Sequence, residues 1–392
     1  MNPYAPNDEN RPKRRALRRR AAIAAWIVFA VYLGLAFQYS RRFRGRASGF
    51  ACLGDHFVRG RAEGMIRRKT VVLENSVGYD GQFFYYLAHD PFLNDPDLLH
   101  LDAPAYRSQR ILYPLLAWMF ALGFPALIPG ALVAVNIAAV SLGTFWTARI
   151  LAARGRPPGR AIFYAALPGL VLCVFRDLAG PVALAFAIGA FYHYDTGRIK
   201  TAALCLAAAF LARENWVLLW PCFLLDAAWI RKSAGRFAWT AASIVPFAAF
   251  ETLLYFRFDT VAFRAGTGNF APPFTAAFSY AAKVFRETGN IPLKLFTAVF
   301  LAVMFYTVLL AFFEAAARPG VRSFSFAVFA LFSLFFSEYI WVEPWSFARV
   351  ILPLGGLMIL NEADRGGRRF LFPLYGNAVL FVLVLWWVRW IP

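Results

Sequence analysis

The sequence predicts an all-α protein, a polytopic bundle of transmembrane helices, and three observations carry that reading. Of the 392 residues, 60% are hydrophobic and 16% charged, against ~45–50% and ~25% in soluble domains. A soluble core does not absorb that much apolar sequence without leaving large sticky patches. The apolar residues also gather into runs of membrane length, and the net charge of +19 falls between those runs. Basic residues so placed set orientation in a bilayer. A nucleic-acid surface, the usual meaning of such an excess, is not indicated. Disorder, a disulfide scaffold and a cytosolic enzyme are disfavoured on the same grounds.

The first run, Ala21 to Tyr39, follows Arg11, Lys13, Arg14, Arg15, Arg18, Arg19 and Arg20. Residues 1–20 therefore read as a basic cytoplasmic tail, with the N-terminus inside. The run ends in Gln38-Tyr39-Ser40-Arg41-Arg42 rather than in small residues, which argues for a retained anchor over a cleaved signal. A polar stretch from about Arg41 to Arg110 follows. Residues 41–128 read as a periplasmic loop, since a stretch of this length crosses largely regardless of its charge.

Further apolar runs occupy 111–128, 130–151, 160–175, 178–194, 199–212, 215–230, 237–256, 291–313, 324–341, 347–361 and 370–391. If 111–128 lies at the outer interface, the turns 149–160, 195–200, 231–236, 314–322 and 361–369 all face the cytoplasm. They carry 14 Lys/Arg against 4 Asp/Glu, as the positive-inside rule asks. Pro114, Gly123, Pro125 and Pro129 also make 111–128 a poor straight span. The expectation is about eleven spans in one transmembrane domain, 21–392, with outer-face juxtamembrane helices in the first long loop. Trp341, Trp345, Trp386, Trp387 and Trp390 fall near span ends, as interfacial aromatics do.

Metal and cofactor chemistry have no sequence signal. Cys52, Cys173, Cys205 and Cys222 share no CxxC spacing, and His56, His89, His100 and His193 are scattered. No zinc motif, phosphate-binding loop or dinucleotide fingerprint is present. No cofactor is called for, and no ligand pattern supports a divalent metal.

With this orientation the embedded polar residues gather on the outer side: Arg176-Asp177, Arg213-Glu214-Asn215, Glu251, Glu338, Glu343 and Arg349. Charge within a membrane is costly and marks function by default. Opposite them, residues 77–88 (Val-Gly-Tyr-Asp-Gly-Gln-Phe-Phe-Tyr-Tyr-Leu-Ala) read as a short interfacial aromatic helix that stops at Pro91. Asp80 stands at its start. It either caps the helix or acts as general base, taking the proton of an acceptor hydroxyl that attacks a sugar carbon while phosphate leaves with inversion. Tyr79 and Gln82 would then position the acceptor.

A departing phosphate needs cations, and arginine holds phosphate bidentately while staying charged. Arg107, Arg110 and Arg349 stand on the right side for this, although each also suits interfacial snorkelling. Asp177, Arg213 and Glu214 would line the cavity floor, with Glu343 on the same face. Arg213-Glu214 equally suits an internal salt bridge, and Asp177 a helix cap.

A multi-pass chain whose first outer loop carries Gly78-Tyr79-Asp80-Gly81-Gln82-Phe83, followed by Arg110-Ile111-Leu112-Tyr113-Pro114, resembles the GT-C class of membrane glycosyltransferases. The likeness is greatest over about 20–155; beyond 236 it is only that of a hydrophobic bundle with a few outer charges. The resemblance implies a bacterial inner-membrane enzyme with its site facing the periplasm. It would move a sugar from a polyprenyl-phosphate donor to a glycan or lipid acceptor. The class's first-loop base maps onto Asp80, and its phosphate-holding arginines onto Arg110 and Arg349, with Arg107 beside them. Two juxtamembrane helices in the first loop are typical of the class. Asp80 is followed by Gly81 where many members pair two acidic residues, and a large soluble C-terminal domain is absent. The Tyr79-Asp80-Gly81-Gln82 pattern is similar to that of bacterial proteins linked to surface glycopolymers.

The rival from another class is a secondary transporter, which would place charges near the midplane and often build two related halves. Here the charges lie toward one face and the halves show no correspondence. A membrane acyltransferase would use an intramembrane His, whereas His193 falls beside Asp195 near a cytoplasmic turn.

Overall fold

The computed structural model describes residues 11–58, 69–94 and 101–388, the side chains of 11–14 and 388 excepted. The start of the basic tail, His100 and Trp390 fall outside them. The described residues are 77% helical. Among the described residues the strands amount to one two-residue parallel ladder, Leu53–Gly54 on Val72–Leu73.

Among the described residues, five helices are long and apolar enough to cross a membrane: Arg15–Phe43, Ile128–Ala153, Ala234–Phe258, Ile291–Ala317 and Arg368–Trp387. Two bent pairs raise the number to seven if each is one span. They are Pro158–Ala165 with Pro168–Phe175, bent by 55°, and Pro344–Val350 with Leu352–Arg365, bent by 44°. Pro168 and Pro353 fall in the first turn after each break, where the missing N–H interrupts the helical ladder.

The other four runs expected to span form shorter elements. Gly180–Asp195 has 16 residues, Ile199–Ala212 has 14 and Val321–Ser333 has 13, or ~20–24 Å at 1.5 Å per residue. Residues 215–230 divide into a 3-10 turn, a short α-helix and a π turn. Four of the eleven expected spans thus lack a helix of full length. The stretch 111–128 likewise lacks a helix of full length. Its helix, Leu112–Phe120, has nine residues and is ~14 Å long.

The bundle has two chemically different ends. Gly180–Asp195 starts at a cavity lined by Gly180 and ends at Asp195, which pairs with Arg154 at 3.3 Å and with Arg322. Ile199–Ala212 runs back and delivers Arg213 to the same cavity. The helix Leu352–Arg365 leaves from beside Arg349 and ends at Asp364, paired with Arg154 at 3.0 Å and with Arg322. Arg160–Glu362 at 2.6 Å and Arg369–Glu314 at 2.8 Å complete this far network. Turns 149–160, 195–200, 314–322 and 361–369, grouped by charge in the sequence, therefore meet at one end. The turns 213–215, 258–290 and 338–349 meet at the other, around the cavity.

Two glycines fix how the cavity end is assembled. A Cβ on Gly169 would lie 2.5 Å from the Ala348 carbonyl oxygen, so the helices Pro168–Phe175 and Pro344–Val350 touch backbone to side-chain-free backbone. A Cβ on Gly81 would lie 2.1 Å from the Arg176 carbonyl oxygen. Only glycine allows the first-loop helix, Gly81–His89, to dock this closely on the turn at 176.

That helix is not an interfacial raft. Phe83, Phe84, Tyr85 and Tyr86 are all buried, packed against the helices Leu112–Phe120 and Ile128–Ala153. The aromatics expected in the headgroup layer instead form core, because the loop folds down onto the bundle. Trp341 and Trp345 are buried too, whereas Trp386 is 45% exposed.

Candidate active site

Asp80 immediately precedes the helix Gly81–His89, yet its side chain makes no cap hydrogen bond there. It turns to two arginines instead. Its Oδ1 accepts from Arg107 Nη1 at 3.0 Å, and its Oδ2 lies 2.6 Å from Arg349 Nη2. The capping role therefore does not describe this carboxylate. Burial alone would raise the Asp80 carboxyl; the guanidinium groups of Arg349, Arg107 and Arg110 overcome it and hold the group well below the usual carboxylate range.

The loop is held rigid by its own polar groups. Tyr79 N–H donates to the Cys52 carbonyl at 2.9 Å. Gly54 N–H donates to Gln82 Oε1 at 3.1 Å, and Gln82 Nε2 donates to the Val77 carbonyl at 2.9 Å. Gly78 has φ +71°, and a Cβ on it would lie 2.5 Å from the Cys52 carbonyl, which excludes other residues. Gln82 is 1% exposed and fully engaged as a staple. It does not face the cavity, so the expected acceptor contact is corrected to a supporting one.

Arg107 is clamped. Its Nε and Nη2 donate to the two Asp102 oxygens at 2.8 and 2.7 Å, and its guanidinium lies 4.2 Å over the Phe83 ring. Arg349 is held differently, with its guanidinium 5.0 Å over the Tyr79 ring and a buried Nε that has no hydrogen-bond partner. Tyr79 thus supports an arginine, and burial pushes its phenol up to about 12, so it stays neutral.

Arg110 donates to both Glu214 oxygens, from Nε at 2.7 Å and Nη2 at 2.5 Å, and to the Tyr106 hydroxyl at 2.7 Å. The salt bridge expected between Arg213 and Glu214 is thus replaced by one between Arg110 and Glu214. That fork neutralises Arg110 and leaves Arg213 without an ion pair among the described residues. Arg213 reaches only the Arg349 carbonyl, at 3.4 Å.

Asp80, Tyr106, Arg107, Arg110, Arg213 and Arg349 line one cavity of about 310 Å³. Of the residues expected on its floor, Arg213 is there and Glu214 stands behind Arg110. Asp177 is not. It is fully buried at φ +45°, with Oδ1 facing the Tyr113 hydroxyl at 3.4 Å. The turn that carries it folds its side chain away from the cavity. Glu343 lines a neighbouring cavity of about 710 Å³ with Trp341, Trp345 and Trp387, and burial pushes its carboxyl up.

The lining residues not expected from the sequence include Tyr106, Asp102, Asn269 and Tyr339. Tyr106 had a signal, since it precedes Arg110 by four residues and i, i+4 side chains meet on a helix. Asp102 and Tyr339 sit in irregular loop segments and Asn269 ends the 3-10 helix Ala262–Asn269, and none of these carries a periodicity that marks a site. No group of three or more His, Cys, Asp or Glu among the described residues forms a metal cluster. No protein-family model, curated protein or solved structure matches the chain.

The arrangement offers two carboxylates, Asp80 and the Arg107-bound Asp102, and several cations on a shared cavity. A carboxylate accepts protons, and arginines hold the charge of a phosphate or of a phosphate leaving group.

Proposed function

We propose that the protein is a membrane glycosyltransferase that moves a sugar from a polyprenyl-phosphate donor to an acceptor hydroxyl. The observation that carries this reading is the cavity in which Asp80 meets Arg349, Arg107, Arg110 and Arg213. It lies at the end of the bundle away from the basic turns, which the positive-inside rule assigns to the cytoplasm. This placement supports a site on the periplasmic face of a bacterial inner membrane.

In the reaction the acceptor oxygen attacks the anomeric carbon and its proton passes to Asp80. The bond from that carbon to the phosphate oxygen breaks, and the electron pair leaves with the polyprenyl phosphate, so the carbon inverts. Arg349 and Arg213 stabilise the departing phosphate, because Arg110 is committed to Glu214. Arg107 stays tethered by Asp102 and orients Asp80.

The test uses the purified protein, a panel of radiolabelled polyprenyl-phosphate sugars and a membrane extract as acceptor. Transfer by the wild type and its loss by at least ~10²-fold in Asp80→Asn are expected. Undiminished turnover in a folded Asp80→Asn variant removes the base. Absence of transfer from every donor, with solute flux in vesicles, replaces the enzyme with a transporter.

A further inference from the structure

In this cavity a carboxylate of the protein itself occupies the anion site. Asp80 takes one guanidinium N–H from Arg349 and one from Arg107. Arg107 has a second carboxylate, Asp102, to hold it. Arg349 has none among the described residues; apart from Asp80 it rests on the Tyr79 ring, and its Nε has no hydrogen-bond partner there. Arg213 lines the same cavity with no ion pair among the described residues. A phosphate entering this space meets two arginines with donors to spare, and one of them already holds Asp80.

The competition becomes unequal. The donor's phosphodiester matches a carboxylate with one charge and two free oxygens, and as the sugar leaves it becomes a monoester with up to two charges and three terminal oxygens, so its hold on the arginines grows along the reaction. A carboxylate that shares two guanidinium groups is also a poor base, since general bases work best when poised near the operating pH.

We propose that Asp80 is a resident counter-ion which the lipid phosphate displaces, drawing Arg349 and Arg213 onto the phosphate and freeing the Asp80 carboxylate for the acceptor hydroxyl. The exchange rests on the phosphate-binding reading of this cavity. It gives the order of events a physical cause. The base is masked while the donor site is empty and becomes competent when the leaving group sits in place. Arg107, held by Asp102, stays behind and keeps the freed carboxylate near its resting position.

The exchange makes a prediction that a plain binding or structural role for Asp80 does not. Removing the charge of Asp80 removes phosphate's competitor. The full-length protein in detergent is titrated with a C55 polyprenyl monophosphate, and separately with inorganic phosphate, which reports the headgroup without the chain. Asp80→Asn is expected to bind the monophosphate roughly tenfold more tightly than wild type, with a parallel gain for inorganic phosphate, while turnover is lost. Asp80→Ser, smaller and also uncharged, carries the same expectation and serves if the asparagine variant does not fold. Equal or weaker binding by the folded variant, beside clear binding by the wild type, overturns the exchange and leaves the phosphate site standing. Failure of wild type and variant alike to bind either probe overturns the phosphate site and the exchange together.

Discussion

Arg349 Nη2 lies 2.6 Å from Asp80 Oδ2, a contact between the first loop and the break in a late bent helix. Each partner is delivered by a close backbone approach, Gly81 on the Arg176 carbonyl and Gly169 on the Ala348 carbonyl. The pair also predicts a pH dependence. The folded Asp80 carboxyl is held below its ordinary range by Arg349, Arg107 and Arg110, against the opposing effect of burial. A depressed folded value means that the stabilisation is present above the unfolded value, ~3.9 for Asp, and is lost as pH falls from there toward the folded value. Asp80→Asn should lower the thermal midpoint by an amount equivalent to about 1–3 kcal/mol that is constant between pH 5 and 8. The gap to wild type should narrow below pH 4. A gap that widens on acidification contradicts the ion-pair assignment.

The candidate base and its arginines were legible in the sequence for a simple reason. Charges such as Asp80, Arg107, Arg110, Arg213 and Arg349 are rare in a chain this apolar, so each one is conspicuous. Their partners were not legible. Glu214 adjoins Arg213 in sequence, yet pairs with Arg110, because Arg213 has an extended backbone that ends the helix Ile199–Ala212 and separates the two side chains. Hydropathy did not fix the number of full-length helices either. An apolar run such as 215–230 or 324–341 reads as a span whether it crosses or packs inside the bundle as a short helix, and only its helical length separates the two. Gln82 looked like a substrate contact because it adjoins Asp80's turn, but one helical step points it at the Gly54 and Val77 backbone.

The fork between Arg110 and Glu214 should behave as a structural unit. Arg110→Gln or Glu214→Gln leaves a poorly solvated charge without its partner, and each is expected to lower stability by ~3–5 kcal/mol. The double variant should recover a large part of that loss, because no unpaired charge remains. Thermal midpoints of the four proteins in one detergent give the coupling. Additive losses would instead show that Arg110 and Glu214 act separately, and would return Arg110 to the set of arginines free for phosphate.

Gly81→Ala tests whether the site depends on how the first loop docks. The added Cβ falls 2.1 Å from the Arg176 carbonyl oxygen, so the helix Gly81–His89 must move and take Asp80 with it. Turnover should fall at least tenfold, with an overpacking penalty of about 1–3 kcal/mol. Gly130→Ala is the control, since a Cβ there meets nothing within 4 Å and alanine favours a helix. Equal behaviour of the two variants would mean that Gly81 does not set the position of Asp80.

The two ends of the bundle should label from opposite sides of the membrane. All four natural cysteines are buried, so a membrane-impermeant maleimide has little to react with in the wild type. Lys200 is exposed in the turn beside the Arg154–Asp195 network, and Thr260 is exposed in the loop that leads to the Asp80 cavity. In spheroplasts Thr260→Cys should react and Lys200→Cys should stay unmodified until the membrane is opened. Charge argues for this orientation, because the turns at the Lys200 end hold most of the Lys/Arg excess. The reverse labelling pattern would turn the cavity toward the cytoplasm, where a periplasmic transfer could not take place. Labelling of both positions from outside would separate the two ends from any simple sidedness and remove the basis for reading the far network as the inner face.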